Sequence, residues 1–257
     1  MQIDDGHFEL RLAQDAADMR AAQRLRYEVF VAELGGDGAL VDHEARLERD
    51  RFDPHFDHLL LLDHRRPPDD KVVGVYRVMR SDQARAAGQF YSEDEYDLDP
   101  LKSSGRRLLE LGRSCVHREY RGGTALMHLW NGLAAYVADH GIEVMFGVAS
   151  FHGTDPAPLA QPLSFLHHRH LAPAELRVRA RDAAFQRMDL MAAADLDRPA
   201  ATREIPALIK AYLRLGGFVG EGAFIDRPFN CIDICLVLDT GRMSARHRDI
   251  YTRGAVA

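Results

Sequence analysis

The sequence predicts an α/β domain with a mixed central sheet flanked by helices, and three observations carry that expectation. Apolar runs of strand length alternate with segments whose apolar residues recur every three and four positions. Residues 108–116 form a strand-like run, followed by a basic turn, Arg121-Gly122-Gly123, that opens directly into a helical pattern. The 257 residues, 46% hydrophobic and 28% charged, suffice for a substantial core in a single domain, and no internal repeat or low-complexity linker divides them.

Phe8-Glu9-Leu10-Arg11-Leu12 alternates with period two and predicts a short strand. From Asp15 the period becomes helical: Met19, Ala22, Leu25, Val29 and Phe30 fall near one face, and Gly35-Gly36 closes the helix. Residues 37–57 are polar and charged and read as irregular. Strands are expected at 59–63 and 72–79, separated by the turn-rich Arg65-Arg66-Pro67-Pro68-Asp69-Asp70. Residues 82–107 read as a short helix and loop carrying Glu93-Asp94-Glu95. After the 108–116 strand, Leu126, Leu129, Trp130, Leu133 and Val137 predict a helix over 124–140 with a buried stripe. Another strand is expected at 144–150, with Asp155 as a cap for the next helix. Residues 160–215 read as an inserted helical and irregular segment, rich in Arg and His, ending in a helix over 205–215. Residues 218–225 and 231–238 close the chain as two strands.

A net charge of −6 argues against general nucleic-acid binding. Cys115, Cys231 and Cys235 are an odd set in apolar runs, as expected of a reduced, cytoplasmic compartment. Met1-Gln2-Ile3-Asp4-Asp5 lacks the character of a signal peptide, and no apolar run approaches the roughly 20 residues of a membrane span. His167, His168 and His170 have no Cys or carboxylate beside them at ligand spacing and read as a solvated basic segment, so no metal site is expected. Cys115 reads as a core residue rather than a nucleophile.

A strand, a glycine turn and a helix in succession present backbone N–H groups and the positive helix end to a phosphate. Arg118, Arg121, Gly122 and Gly123 are therefore the phosphate- and carrier-binding candidates, with Arg106 and Arg107 flanking the same strand. Glu110 and Arg113 lie just upstream. Alternation puts residues three apart on opposite faces, so either a bulge near Gly112 brings them together or they serve two pockets. A structural ion pair is the competing reading. This layout suits transfer of a group from a phosphate-bearing carrier to a small acceptor.

Leu25-Arg26-Tyr27-Glu28-Val29-Phe30, Asp50 with Asp53, Gly74-Val75-Tyr76-Arg77 and Glu110-Leu111-Gly112-Arg113 follow the order seen in acyl-homoserine-lactone synthases, which the chain resembles. It is more similar still to the bacterial ornithine N-acyltransferases that make lyso-ornithine lipid. That likeness rests on 109–116, on Phe146-Gly147-Val148-Ala149-Ser150-Phe151-His152-Gly153-Thr154 and on Tyr212-Leu213-Arg214-Leu215-Gly216-Gly217-Phe218. It spans about residues 8–250 and implies the GCN5-related N-acyltransferase (GNAT, acyl-CoA N-acyltransferase) fold. It further implies transfer of a 3-hydroxyacyl chain from the 4'-phosphopantetheine arm of acyl carrier protein to the α-amine of L-ornithine, with no cofactor bound to the enzyme itself. The alternatives are an acyl-homoserine-lactone or other long-chain N-acyl amino acid synthase, and an inactive acyl-carrier-binding module.

On this resemblance Glu110 is the expected base. Arg113, with Arg26 and Arg77, would hold carboxylate or phosphopantetheine groups, Asp50 and Asp53 would receive the ornithine side-chain ammonium, and Phe30 and Ser150 would complete the substrate site. The turn Arg121-Gly122-Gly123-Thr124-Ala125-Leu126 lacks two signature positions of acetyl-CoA-dependent members, which favours one phosphopantetheine phosphate over a CoA pyrophosphate. An acidic carrier requires a basic patch, expected at Arg118 and Arg121, with Arg169, Arg177, Arg179 and Arg181 as further candidates. The lysolipid product implies a cytoplasmic enzyme with at most peripheral membrane contact. Pro162-Leu163-Ser164-Phe165-Leu166, next to cationic residues, is the candidate for that contact or for an acyl-tunnel cover.

Overall fold

The computed structural model describes residues 2–4 and 6–243. In chain order its elements begin with β1 (Gln2–Asp4), β2 (Phe8–Leu12), α1 (Ala16–Arg26), a π-helix (Tyr27–Glu33), β3 (Asp57–Asp63), β4 (Val72–Arg80) and α2 (Ser81–Ala87). Then come β5 (Tyr96–Asp97), α3 (Asp99–Lys102), β6 (Leu108–Val116), α4 (Ala125–Asp139), β7 (Val144–His152) and α5 (Ala160–His170). The last are β8 (Arg179–Ala180), β9 (Phe185–Gln186), α6 (Arg198–Glu204), α7 (Ala207–Arg214), β10 (Phe218–Val219), β11 (Ala223–Asp226) and β12 (Cys231–Asp239). Two compact units are formed: one from residues up to 88 with 111–141, the other from 89–110 with 142–243.

In the first unit β1 to β4 make an antiparallel ladder, with Leu10 opposite Leu61 and Leu60 opposite Val75. Both faces of β3 and β4 are buried, which is why their sequences read as near-continuous apolar runs. Asp15 caps α1, its side chain accepting from the Ala17 and Asp18 N–H groups. Helix α4 lies unusually close to the sheet. A Cβ on Gly132 would stand 2.4 Å from Leu10 Cδ2, and one on Gly74 would stand 2.9 Å from Leu129 Cδ1. Leu129 and Leu133 are fully buried in this contact, whereas Leu126, expected in the buried stripe, is 40% exposed.

In the second unit Leu108–Glu110 of β6 runs parallel to Val144–Phe146 of β7, and β7 pairs antiparallel with β12 along its whole length. Parallel and antiparallel pairings together make the sheet mixed, as expected. The Tyr96 hydroxyl, wholly buried, donates to the carbonyls of Gly222 and Asp233 at 3.0 Å.

Three expectations need correction. The first helix does not run unbroken to residue 35: it changes to a π-helix at Tyr27. The strand expected at 218–225 is two, β10 and β11, because Gly222 has φ +73° and a Cβ there would strike the Phe185 ring at 2.2 Å. The helix expected from 205 starts at Ala207, since Pro206 holds Ile205 in an extended conformation. Pro162, Leu163 and Leu166 are buried on α5, leaving Phe165 half-buried.

Candidate active site

The first unit holds an extensive buried charge network. Arg26 follows from the inward face of α1, Arg77 from β4, and Glu48, Asp50 and Asp53 from the irregular segment between the π-helix and β3. Arg26 donates through Nε to Glu48 and through Nη1 to Asp53 Oδ1 at 2.6 Å. Arg77 Nη1 bridges Asp53 Oδ1 at 2.8 Å and Asp50 Oδ2 at 2.6 Å. Arg113 Nε reaches Glu48 Oε1 at 3.3 Å, and its Nη2 lies 3.6 Å from Asp50. Three arginines thus face three carboxylates. Arg26, Arg77 and Glu48 are fully buried, while Asp50 and Arg113 keep 17% and 11% of their side chains exposed.

Removing these charges from water works against them, and mutual attraction overcomes it. Burial raises the Glu48 carboxyl, but Arg113 and Arg26 draw it down to about 2. Asp53 is likewise held well below the carboxylate range by Arg26 and Arg77 in spite of its burial. Burial and the field of Arg26 depress the neighbouring His58 to about 4, so it is neutral near pH 7, with its Nε2 3.1 Å from the Asp53 carbonyl oxygen.

Five of the expected site residues therefore meet: Arg26, Asp50, Asp53, Arg77 and Arg113. Phe30, on the π-helix, has the Arg113 guanidinium 5.9 Å from its ring centre. Asp53, however, is placed as the hub of the network rather than as a receptor for a substrate ammonium. One oxygen accepts from Arg26 and Arg77, the other from Gln23 Nε2 at 3.0 Å and the Asp50 N–H at 3.4 Å. Asp50, at the partly exposed edge, accepts from Arg77 at 2.6 Å and from the Phe52 N–H at 2.8 Å. Glu48 was missed in the sequence. Its signal was charge balance, because three buried arginines beside two aspartates call for a third carboxylate.

Strand β6 contains the anticipated irregularity: Arg113 has φ +49°, a left-handed conformation that breaks alternation after Gly112. In the second unit Glu110, 1% exposed, accepts from the Tyr91 N–H at 2.8 Å and from the N–H and hydroxyl of Ser92. It thereby anchors the short turn at Tyr91–Asp94. Ser150 is exposed on β7, opposite the buried Asp233 in the β7–β12 pairing.

The glycine turn is exposed from Arg121 to Thr124, with Gly122 at φ +79°, and no side chain caps the start of α4. Its surroundings are not basic. Arg121 pairs with Glu33 at 2.8 Å, and Arg118 lines a recess of about 400 Å³ that also holds Glu28, Glu33, Asp69 and Asp70. Arg106 and Arg107 are paired with Asp239 and Glu143. Arg177 and Arg181 donate to the Ala172 and Glu93 carbonyls, and Arg179 pairs with Asp182. Burial pushes the Cys115 thiol up to about 12, which removes it as a nucleophile.

Residues 25–131 match the acetyltransferase (GNAT) domain family. The chain is 63% identical over 248 residues to the L-ornithine N(alpha)-acyltransferase of Rhodobacter capsulatus, covering 96% of this chain and 95% of that one. It is 45% identical over 250 residues to the enzyme of the same name from Brucella abortus, covering 96% and 89%. Among solved structures the AHL synthase LasI superimposes with a TM-score of 0.51 over 98% of both chains at 13% identity, a likeness of fold. With a mixed sheet flanked by helices, a strand holding a left-handed residue before an uncapped helix, and relatives of one name aligned over nearly their whole length, the chain belongs to the L-ornithine N(alpha)-acyltransferase family of GNAT-fold enzymes.

Proposed function

We propose that this enzyme moves a 3-hydroxyacyl chain from the phosphopantetheine arm of acyl carrier protein to the α-amine of L-ornithine, giving lyso-ornithine lipid. The acceptor follows from the named relatives. The observation in the molecule that carries it is the partly exposed Asp50–Arg113 edge of an otherwise buried, charge-balanced network. An amino acid presents a carboxylate and ammonium groups together, and this edge offers a guanidinium for the first and a carboxylate for the second. The buried remainder supplies rigidity: Arg26, Glu48, Asp53 and Arg77 hold both edge groups in place, so little ordering is left for the moment of binding.

The donor thioester is already activated, because its leaving thiol has a pKa of about 8.5, and no covalent enzyme intermediate is needed. The enzyme has to orient the amine, accept its proton and stabilise the oxyanion. Glu110 is the candidate base, directly or through a water, and backbone N–H groups of β6 near Arg113 are candidate oxyanion donors. The exposed Arg121–Gly123 turn and the start of α4 would take the single phosphate of the arm. The enzyme would work in the cytoplasm and release its lysolipid toward a bilayer. Among the described residues no helix is long and apolar enough to cross one.

The test offers one 3-hydroxyacyl carrier-protein thioester to ornithine, S-adenosylmethionine and tyrosine. Ornithine acylated at its α-amine, identified by mass spectrometry, is expected as the dominant product. Preference for either other acceptor overturns the reading. Glu110→Gln is expected to lower kcat by about 10²–10⁴-fold. A cooperative unfolding transition must accompany that loss, because the substitution also replaces one acceptor facing Tyr91 and Ser92. An unchanged kcat removes Glu110 from the mechanism.

A further inference from the structure

Most arginines among the described residues pair with carboxylates or carbonyls, and of those that do not, four gather on one surface. Helices α5, α6 and α7 of the second unit enclose an open depression of about 840 Å³. Arg169 at the end of α5, Arg198 and Arg203 on α6, and Lys210 and Arg214 on α7 line it, with the half-buried Phe165 ring among them. No carboxylate does. Among the described residues these four guanidinium groups have no hydrogen-bond or ion-pair partner, and the Lys210 ammonium donates to a single backbone carbonyl, that of Arg203. All four arginines are exposed. Five positive charges thus converge on one concavity in a chain of net charge −6.

We infer that this depression is the docking surface for an acidic helical protein, the acyl carrier protein that the preceding proposal makes the donor; the inference rests on that reading. Like charges cluster without compensation only at a cost in stability, and an arriving negative surface recovers it while steering encounter. The expected rim at Arg118 and Arg121 cannot serve in this way, since Glu28, Glu33, Asp69 and Asp70 share its recess. A bilayer fits less well. Interfacial insertion needs exposed apolar side chains, and among the described residues the large ones that stand exposed, Leu34, Leu40, Leu126 and Met127, all belong to the first unit.

Arg198→Glu with Arg203→Glu, and separately Arg214→Glu, test the surface without touching any residue of the proposed catalytic machinery. Activity is measured with 3-hydroxyacyl carrier protein and with the same acyl group on free pantetheine. The expected result is a rise of about 10-fold or more in KM for the carrier thioester, with the pantetheine thioester and the unfolding midpoint unchanged. The rise should shrink as salt increases. A carrier KM unaltered in both variants overturns the proposal, as does an equal loss with both donors. So does a loss confined to flotation with phosphatidylglycerol vesicles, which would assign the face to lipid. A wild type that cannot use the carrier thioester at all sinks the donor reading and the docking surface together, whereas use of the carrier by unaffected variants sinks the surface alone.

Discussion

Asp53→Asn is expected to destabilise the fold by about 3–5 kcal/mol and to abolish most of the activity, as read by urea unfolding and by turnover. Asp53 is 4% exposed and neutralises two guanidinium groups that are themselves fully buried. An asparagine keeps one acceptor oxygen but turns an N–H₂ donor toward other donors and leaves a net positive charge out of contact with water. Breaking one partner of a buried ion pair costs this much because the remaining charge stays desolvated. The loss is a large share of the roughly 5–15 kcal/mol that holds a domain folded. The exposed pair of Asp182 with Arg179 supplies the contrast: Asp182→Asn should leave the unfolding midpoint where it was. A loss below about 1 kcal/mol for Asp53→Asn would mean that the network is not a rigid support for the Asp50–Arg113 edge.

His58 and Glu48 should each lose stability in acid, in two windows of known sign, opposed in part by Asp233, whose carboxyl burial raises to about 6. His58 is held neutral, at about 4 against 6.5 in an unfolded chain, by its burial and by Arg26. Between those values the unfolded chain binds a proton that the folded one refuses, so stability declines as pH drops from 6.5 toward 4. At about 1.4 kcal/mol per unit the decline reaches about 3 kcal/mol. Glu48 acts next. Its folded value is depressed to about 2 from 4.5, so its contribution is whole above pH 4.5 and is lost as pH falls through the folded value. Both losses run the same way. Urea unfolding at a series of pH values from about 7.5 to about 4 should show the first slope, and His58→Gln should flatten it. An identical slope in that variant would exclude His58 as its source.

Neither group behind the two windows is marked by a motif in the chain, whereas their charged partners are. Arg26, Asp50, Asp53, Arg77 and Arg113 were picked out by their motifs, and they do meet in space. His58 and Glu48 belong to no such motif, and Glu48 lies in a segment whose polarity suggests solvent. Local patterns located the elements that carry the site: residues 108–116 and β6 coincide, and 124–140 brackets α4 to within a residue at either end. Alternation, helical spacing and Gly or Pro punctuation are properties of neighbours along the chain, and the backbone answers to them directly.

The sequence by itself determined the α/β architecture, the order of its principal elements, the family and the residue types gathered at the site. Only the tertiary structure decided what each charge does there. Asp53 is a saturated hub because Gln23, Arg26 and Arg77 reach it from other elements, and Asp50 stays at the partly exposed edge of the network. Arg121 is paired with Glu33, whereas Arg198, Arg203 and Arg214 have no side-chain partner among the described residues. The reason is physical. A side chain's charge state, and what it can bind, follow from desolvation and from the sum of all charges around it in space, and most of those charges come from distant parts of the chain.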